Sequence, residues 1–272
     1  MARGASGDTS SGLASAWRIC SGWSNRLAES VDWEALYAEH GAACAAPAAA
    51  RQLAAPTDDD MRWLVAALKH DEPAGTGRKW FVANLARLAP SLGEKLFRPM
   101  LDAGIDEVDP SFNRCFIAPC VSAFGARRVN EYLLDVLESG PDDRKAGAAN
   151  ALYWAQVTLQ FIGHQPSWDI AHATPESRMA YEMLEDVWDR KRRLMLELFV
   201  ANPNVDIRRS LIPSLNLDPG AYAETHRPQV AQAVAIARAH EDDYIRHRVE
   251  TQLGDARPLA PLPHRKKGPA SS

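Results

Sequence analysis

The sequence predicts an all-helical protein, and three observations carry that expectation. Alanine is abundant, with 45 of 272 residues, and arginine outnumbers lysine 24 to 7. Alanine, leucine, arginine and glutamate are the strongest helix formers, and the β-branched share is low. Apolar residues recur at helical spacing between Gly and Pro breakers. The segments so bounded also resemble one another, which points to an internal repeat.

Residues 1–26 are rich in Gly, Ser and Ala and carry no sustained pattern, so they are expected to form a disordered tail. The same holds for 255–272, where Pro258, Pro261, Pro263 and Pro269 surround Arg265-Lys266-Lys267. That basic triplet either meets an anion or is simply solvated. Residues 31–55 read as an N-terminal helical cap. Asp32 is placed to cap it, Trp33, Leu36 and Tyr37 share one face, and Pro47 interrupts an Ala-rich run.

From 56 to 254 helices alternate with breakers. Asp58, Asp59 and Asp60 open a helix bearing Met61, Leu64, Val65 and Leu68, where the helix dipole favours acid. Asp71 to Gly77 reads as a turn between paired helices and lacks the frame of a phosphate-cradling loop. Ser91 to Glu94 has capping-box spacing, and Gly104 is a candidate helix terminator. Val129, Leu133, Val136 and Leu137 form a stripe ending at Gly140-Pro141. Thr174-Pro175 predicts one long helix carrying Leu184, Val187, Trp188, Met195, Leu198 and Phe199, closed by Asn202-Pro203. Asp218-Pro219 restarts the chain before a stripe of Val230, Val234 and Ala237.

The repeat emerges when the second helix of each pair is aligned on one arginine: Arg78, Arg114, Arg144, Arg208 and Arg246. Three residues on stand Phe81, Ile117, Gly147, Leu211 and Val249; seven on stand Leu85, Val121, Ala151, Leu215 and Leu253. Those two columns lie within about 40° on a helix and form one buried stripe. Acid stands near the start of four of these helices, at Asp109, Asp142 and Asp143, Asp206, and Asp242 and Asp243. The long interval between Arg144 and Arg208 holds an insertion near 163–173, and Pro119 and Pro213 fall inside second helices, where each should kink its helix.

Helix pairs of this length, with acid, then arginine, then an apolar stripe, resemble the HEAT repeat family over roughly residues 56–254. The resemblance implies a right-handed α-solenoid of about five pairs, with the second helices lining a concave face. The resemblance leaves the function open; because the long concave surface of a solenoid suits an extended partner, the expectation is a non-enzymatic scaffold that binds a protein or peptide there. The arginine column, about 20° from the buried stripe, reads as ties between repeats rather than an anion groove. The adjacent column of Lys79, Lys145, Arg209 and His247 is expected to be more exposed.

The columns two, six and nine residues after the arginine fall at about 180–240°, away from the buried stripe near 330°. They contain Trp80, Asn84 and Arg87, Phe116 and Cys120, Asn150 and Tyr153, Ser214, and Arg248 and Gln252. Aromatics, arginine and amides anchor interfaces, so these residues, Cys120 excepted, are the expected partner-binding residues. The alternative is that Trp80 and Phe116 pack in the core.

Other chemistry is poorly supported. The segment 31–254 carries a net charge of −8, which disfavours binding a phosphate backbone. Some HEAT-like proteins are DNA glycosylases, and Trp80 and Trp154 with nearby acids keep that alternative open. Deoxyhypusine hydroxylase, another HEAT-like branch, holds two irons with several His-Glu dipeptides; this chain has one, His240-Glu241. His164, Asp169 and His172, and separately His240, Asp243 and His247, have ligand-like spacing but also plain polar roles, so no metal and no cofactor is expected. No Gly-x-Ser-x-Gly elbow occurs. Cys20, Cys44, Cys115 and Cys120 form no disulfide pattern. No apolar run reaches the roughly 18–20 residues of a membrane span, and no apolar segment follows the N-terminus, so a cytoplasmic location is expected.

Overall fold

The computed structural model describes residues 31–41, 47–69, 76–163 and 170–254. The expected tails, most of the turn at 71–77 and part of the 163–173 insertion lie outside them. The described chain is all-helical. Its elements are α1 (Trp33–His40), α2 (Pro47–Ala50), α3 (Asp58–Leu68), α4 (Gly77–Leu88), α5 (Phe97–Ile105), α6 (Arg114–Phe124), α7 (Ala126–Ser139), α8 (Asp142–Trp154), α9 (Pro175–Glu182), α10 (Glu185–Ala201), α11 (Val205–Leu211), α12 (Arg227–Arg238) and α13 (Asp243–Leu253). Among the described residues the one extended pairing is an antiparallel bridge between Phe161 and Ala173. No described helix is long and apolar enough to cross a membrane.

Successive helices pack as pairs: α3 on α4, α5 on α6, α7 on α8, α10 on α11, and α12 on α13. Second members also touch in order, α4 with α6, α6 with α8, α8 with α11, and α11 with α13. First members meet at α3 with α5, α7 with α10, and α10 with α12. One continuous hydrophobic core runs through these contacts, from Trp33 and Leu53 to Ile245 and Val249.

Side-chain caps explain where several helices begin. Asp32 caps α1 by accepting from the Ala35 amide, Asn204 caps α11, and Asp242 caps α13. Thr174 caps α9 with Pro175 in its first turn. Four expectations are corrected. Ser91 forms no capping box; Gly93 precedes a short 3-10 turn without a side-chain cap, and Glu94 pairs with Arg128 instead. Gly104 does not end its helix but lies buried within α5, where the Ile117 side chain occupies the space a Cβ would take. The single long helix expected after Thr174 breaks at Met183 and Leu184 into α9 and α10, because Leu184 leaves helical geometry. Pro213 lies beyond α11 in a 3-10 turn, so it ends that helix rather than kinking it; Pro119 does sit inside α6.

Asp60 fixes α1 onto α3. Its buried carboxylate accepts from Trp33 Nε1 at 2.7 Å, Gln52 Nε2 at 2.9 Å, and the Thr57 amide and hydroxyl at 2.8 Å each. Thr57 completes a capping box by accepting from the Asp60 amide. Burial pulls the Asp60 carboxyl upward, but the hydrogen bonds from Gln52, Thr57 and Trp33 outweigh it and hold the group below its ordinary value. Because the folded value is depressed, this contribution is present above the unfolded value of about 4 and lost as pH falls through the folded one. Asp60→Ala should therefore cost about 2–3 kcal/mol at pH 7, the scale of hydrogen bonds to a charged acceptor. The gap to the parent should narrow toward pH 3. Denaturant titrations at the two pH values test this, and an equal gap at both would refute it.

The arginine column is largely structural. Arg78 pairs with Glu34 of α1, and Arg144 pairs with Asp102 of α5 and lies 3.5 Å from Asp106. Arg208 donates to the Phe199 carbonyl at 3.2 Å, and Arg246 donates to the carbonyls of His240 and Glu241. Arg114 differs: it is exposed, stacks over Trp154 at 5.7 Å, and makes no ion pair among the described residues.

Candidate functional site

The second helices carry two adjoining depressions, and six of the nine expected partner-binding residues line them. The first, about 460 Å³, is walled by Trp80, Asn84 and Arg87 of α4 together with Phe112, Arg114 and Trp154. The second, about 380 Å³, is walled by Asn150, Tyr153, Pro213, Ser214, Arg209 and Tyr244. Ser111 and Trp154 belong to both, so the two form one groove over α4, α6, α8, α11 and the start of α13.

Aromatic packing shapes the walls. Trp80 meets Phe112 edge-on at 4.9 Å and Phe116 at 5.5 Å. Tyr153 meets Trp154 edge-on at 4.9 Å, and Trp154 Nε1 donates to the Pro110 carbonyl at 2.9 Å. That bond ties the 110–113 loop to the end of α8. Tyr153 is 51% exposed and Tyr244 39%, large values for aromatics on a helical surface. Arg209 and Arg248 approach the Tyr244 ring at 5.3 and 6.0 Å. Arg209 is paired with Asp242 at 2.7 Å, whereas Arg87, among the described residues, bonds Asn84 at 3.5 Å and no acid.

Five residues of the expected columns are placed differently. Phe116 is fully buried beneath Trp80, because α6 is packed between α4 and α8 and has no free face at that position. Trp80 itself is 3% exposed and contributes only an edge to the groove wall. Cys120 is buried, and burial pushes its thiol up to about 12, so it is an inert core residue. Gln252 is exposed but donates to the Ile212 carbonyl at 2.7 Å, tying α13 to the turn after α11. Arg248 lies beside Tyr244 without lining either depression.

The adjacent column is corrected at Lys79. This ammonium is buried, pairs with buried Glu107 at 2.9 Å and sits 5.2 Å over the Phe116 ring. Glu107 also accepts from the Asp109 amide at 3.2 Å, so the pair anchors the loop that rims the groove. Of the ligand-like clusters, His164 and Asp169 lie outside the described residues. His240 lies in the turn before α13, where its Nδ1 accepts from the Asp242 amide at 3.1 Å, so it shares no helix face with Asp243 and His247.

Phe112, Arg114, Arg209 and Tyr244 line the groove but fall outside the columns used to find it. Phe112 belongs to a loop signalled only by Asp109-Pro110, and Tyr244 precedes its arginine by two residues. No family model, curated protein or solved structure matches the chain.

Proposed function

We propose that this chain is a non-enzymatic HEAT-like repeat scaffold: a right-handed α-solenoid of about five helix pairs, capped by α1, that binds a protein or peptide partner in the groove on its concave face in the cytoplasm. The contacts of second helices with second in order, and of first with first at α3–α5, α7–α10 and α10–α12, support the solenoid. The observation that carries the binding reading is the groove itself. Half-exposed Tyr153 and Tyr244 stand beside Arg87, Arg114 and Arg209, the residue types that dominate interface energetics. A base-processing enzyme on this scaffold needs a carboxylate beside an aromatic. Among the described residues, neither depression has an acid in its wall, which favours binding over that chemistry.

A photo-crosslinking residue at position 153 tests the reading in extracts of the source cells. It should yield a discrete protein adduct that the same residue at exposed Glu131, on α7, does not. Tyr153→Ala should weaken that partner's binding by ten-fold or more, about 1.4 kcal/mol or above, while leaving the helical spectrum unchanged. Identical adducts from both positions would refute the assignment.

A further inference from the structure

We infer that the first depression, between α4, α6 and α8, holds a side-chain carboxylate of an extended acidic peptide, whose neighbouring apolar residue enters the second depression between Tyr153, Pro213 and Tyr244. This rests on the partner-binding reading and adds the partner's chemistry.

The wall of the first depression is rich in donors. Among the described residues it holds Arg87, Arg114 and Ser111 and no carboxylate. Among the described residues Arg114 is the member of its column left without a carbonyl or carboxylate, whereas Arg78, Arg144, Arg208 and Arg246 each have one. Its guanidinium carbon lies 5.7 Å from the centre of the Trp154 ring, and the residue is exposed. A planar fork of donors fits a carboxylate in two parallel hydrogen bonds.

The second depression differs in character. Arg209 is neutralised by Asp242, and the Tyr153, Trp154, Pro213 and Tyr244 surfaces suit an apolar or proline side chain.

A nucleic-acid strand fits less well. Its repeated phosphates need a run of cations, whereas the groove offers two arginines without acid partners on a 31–254 segment carrying −8. A single carboxylate needs no more than those two.

The test is a selection from a random dodecapeptide phage library against the full chain, followed by fluorescence anisotropy with a synthetic enriched peptide. Enriched sequences should share an Asp or Glu close to an apolar residue or proline. Arg87→Ala and Arg114→Ala should each weaken the peptide by ten-fold or more, Arg114→Lys by less. Replacing the peptide's acid with its amide, against the unaltered chain, should weaken it as much. Enriched peptides that lose affinity on Tyr153→Ala but carry no acid would overturn the carboxylate assignment and leave the partner-binding reading standing. No enrichment at all, or tight binding of a labelled dT12 oligonucleotide abolished by Arg114→Ala, would overturn both.

Discussion

Gly147→Ala should destabilise the protein by about 3 kcal/mol or more, although alanine is the better helix former by up to about 1 kcal/mol. A Cβ at Gly147 would lie 2.0 Å from the Ile105 carbonyl oxygen and 2.9 Å from its carbon. That oxygen is backbone at the end of α5, so a rotamer change cannot relieve the clash; α5 must move off α8. Interiors packed at crystal density do not absorb such a shift locally. For a chain of this size the cost corresponds to a melting temperature lowered by roughly 6–12 °C. Ser139→Ala, at the exposed end of α7, should change stability by less than about 0.5 kcal/mol. Calorimetry on the two variants decides the matter: a Gly147→Ala protein as stable as its parent would mean the two helices are not in this contact.

The second large effect is expected at Lys79 and Glu107. Both side chains are about nine-tenths buried, so removing either partner strands a charge in the interior. Lys79→Met or Glu107→Gln should each cost about 3–5 kcal/mol, while Lys79→Met with Glu107→Leu should recover much of it. A double-mutant cycle by denaturant titration measures the coupling, and additive single losses would show that the two do not interact. The consequence reaches the groove. Glu107 also holds the Asp109 amide, so the single variants should loosen the 110–113 loop and weaken peptide capture beyond their effect on folding.

Much of the helical class was legible because alanine content, spacing and breakers agree. Helix starts were read well where a cap makes them, as at Asp32, Thr174 and Asp242. The break at Leu184 left no signal, since the apolar stripe of α10 begins there without Gly or Pro. Angular position along one helix located the groove through Asn84, Arg87, Asn150, Tyr153 and Ser214, yet misjudged Trp80 and Phe116. A helical wheel describes one helix, whereas α6 is enclosed by α4, α5, α7 and α8. Lys79 was misread for the same reason: its partner stands 28 residues away in a loop, and only tertiary contact brings the two charges together.

The Phe161–Ala173 bridge has a use of its own. With the Thr174 amide donating to the Gln160 carbonyl at 2.7 Å and Ser177 Oγ donating to the same oxygen at 3.3 Å, it cinches a neck. Across that neck α7 still meets α10 and α8 still meets α11, so the helices on either side are joined twice, once by the stack and once by this clasp.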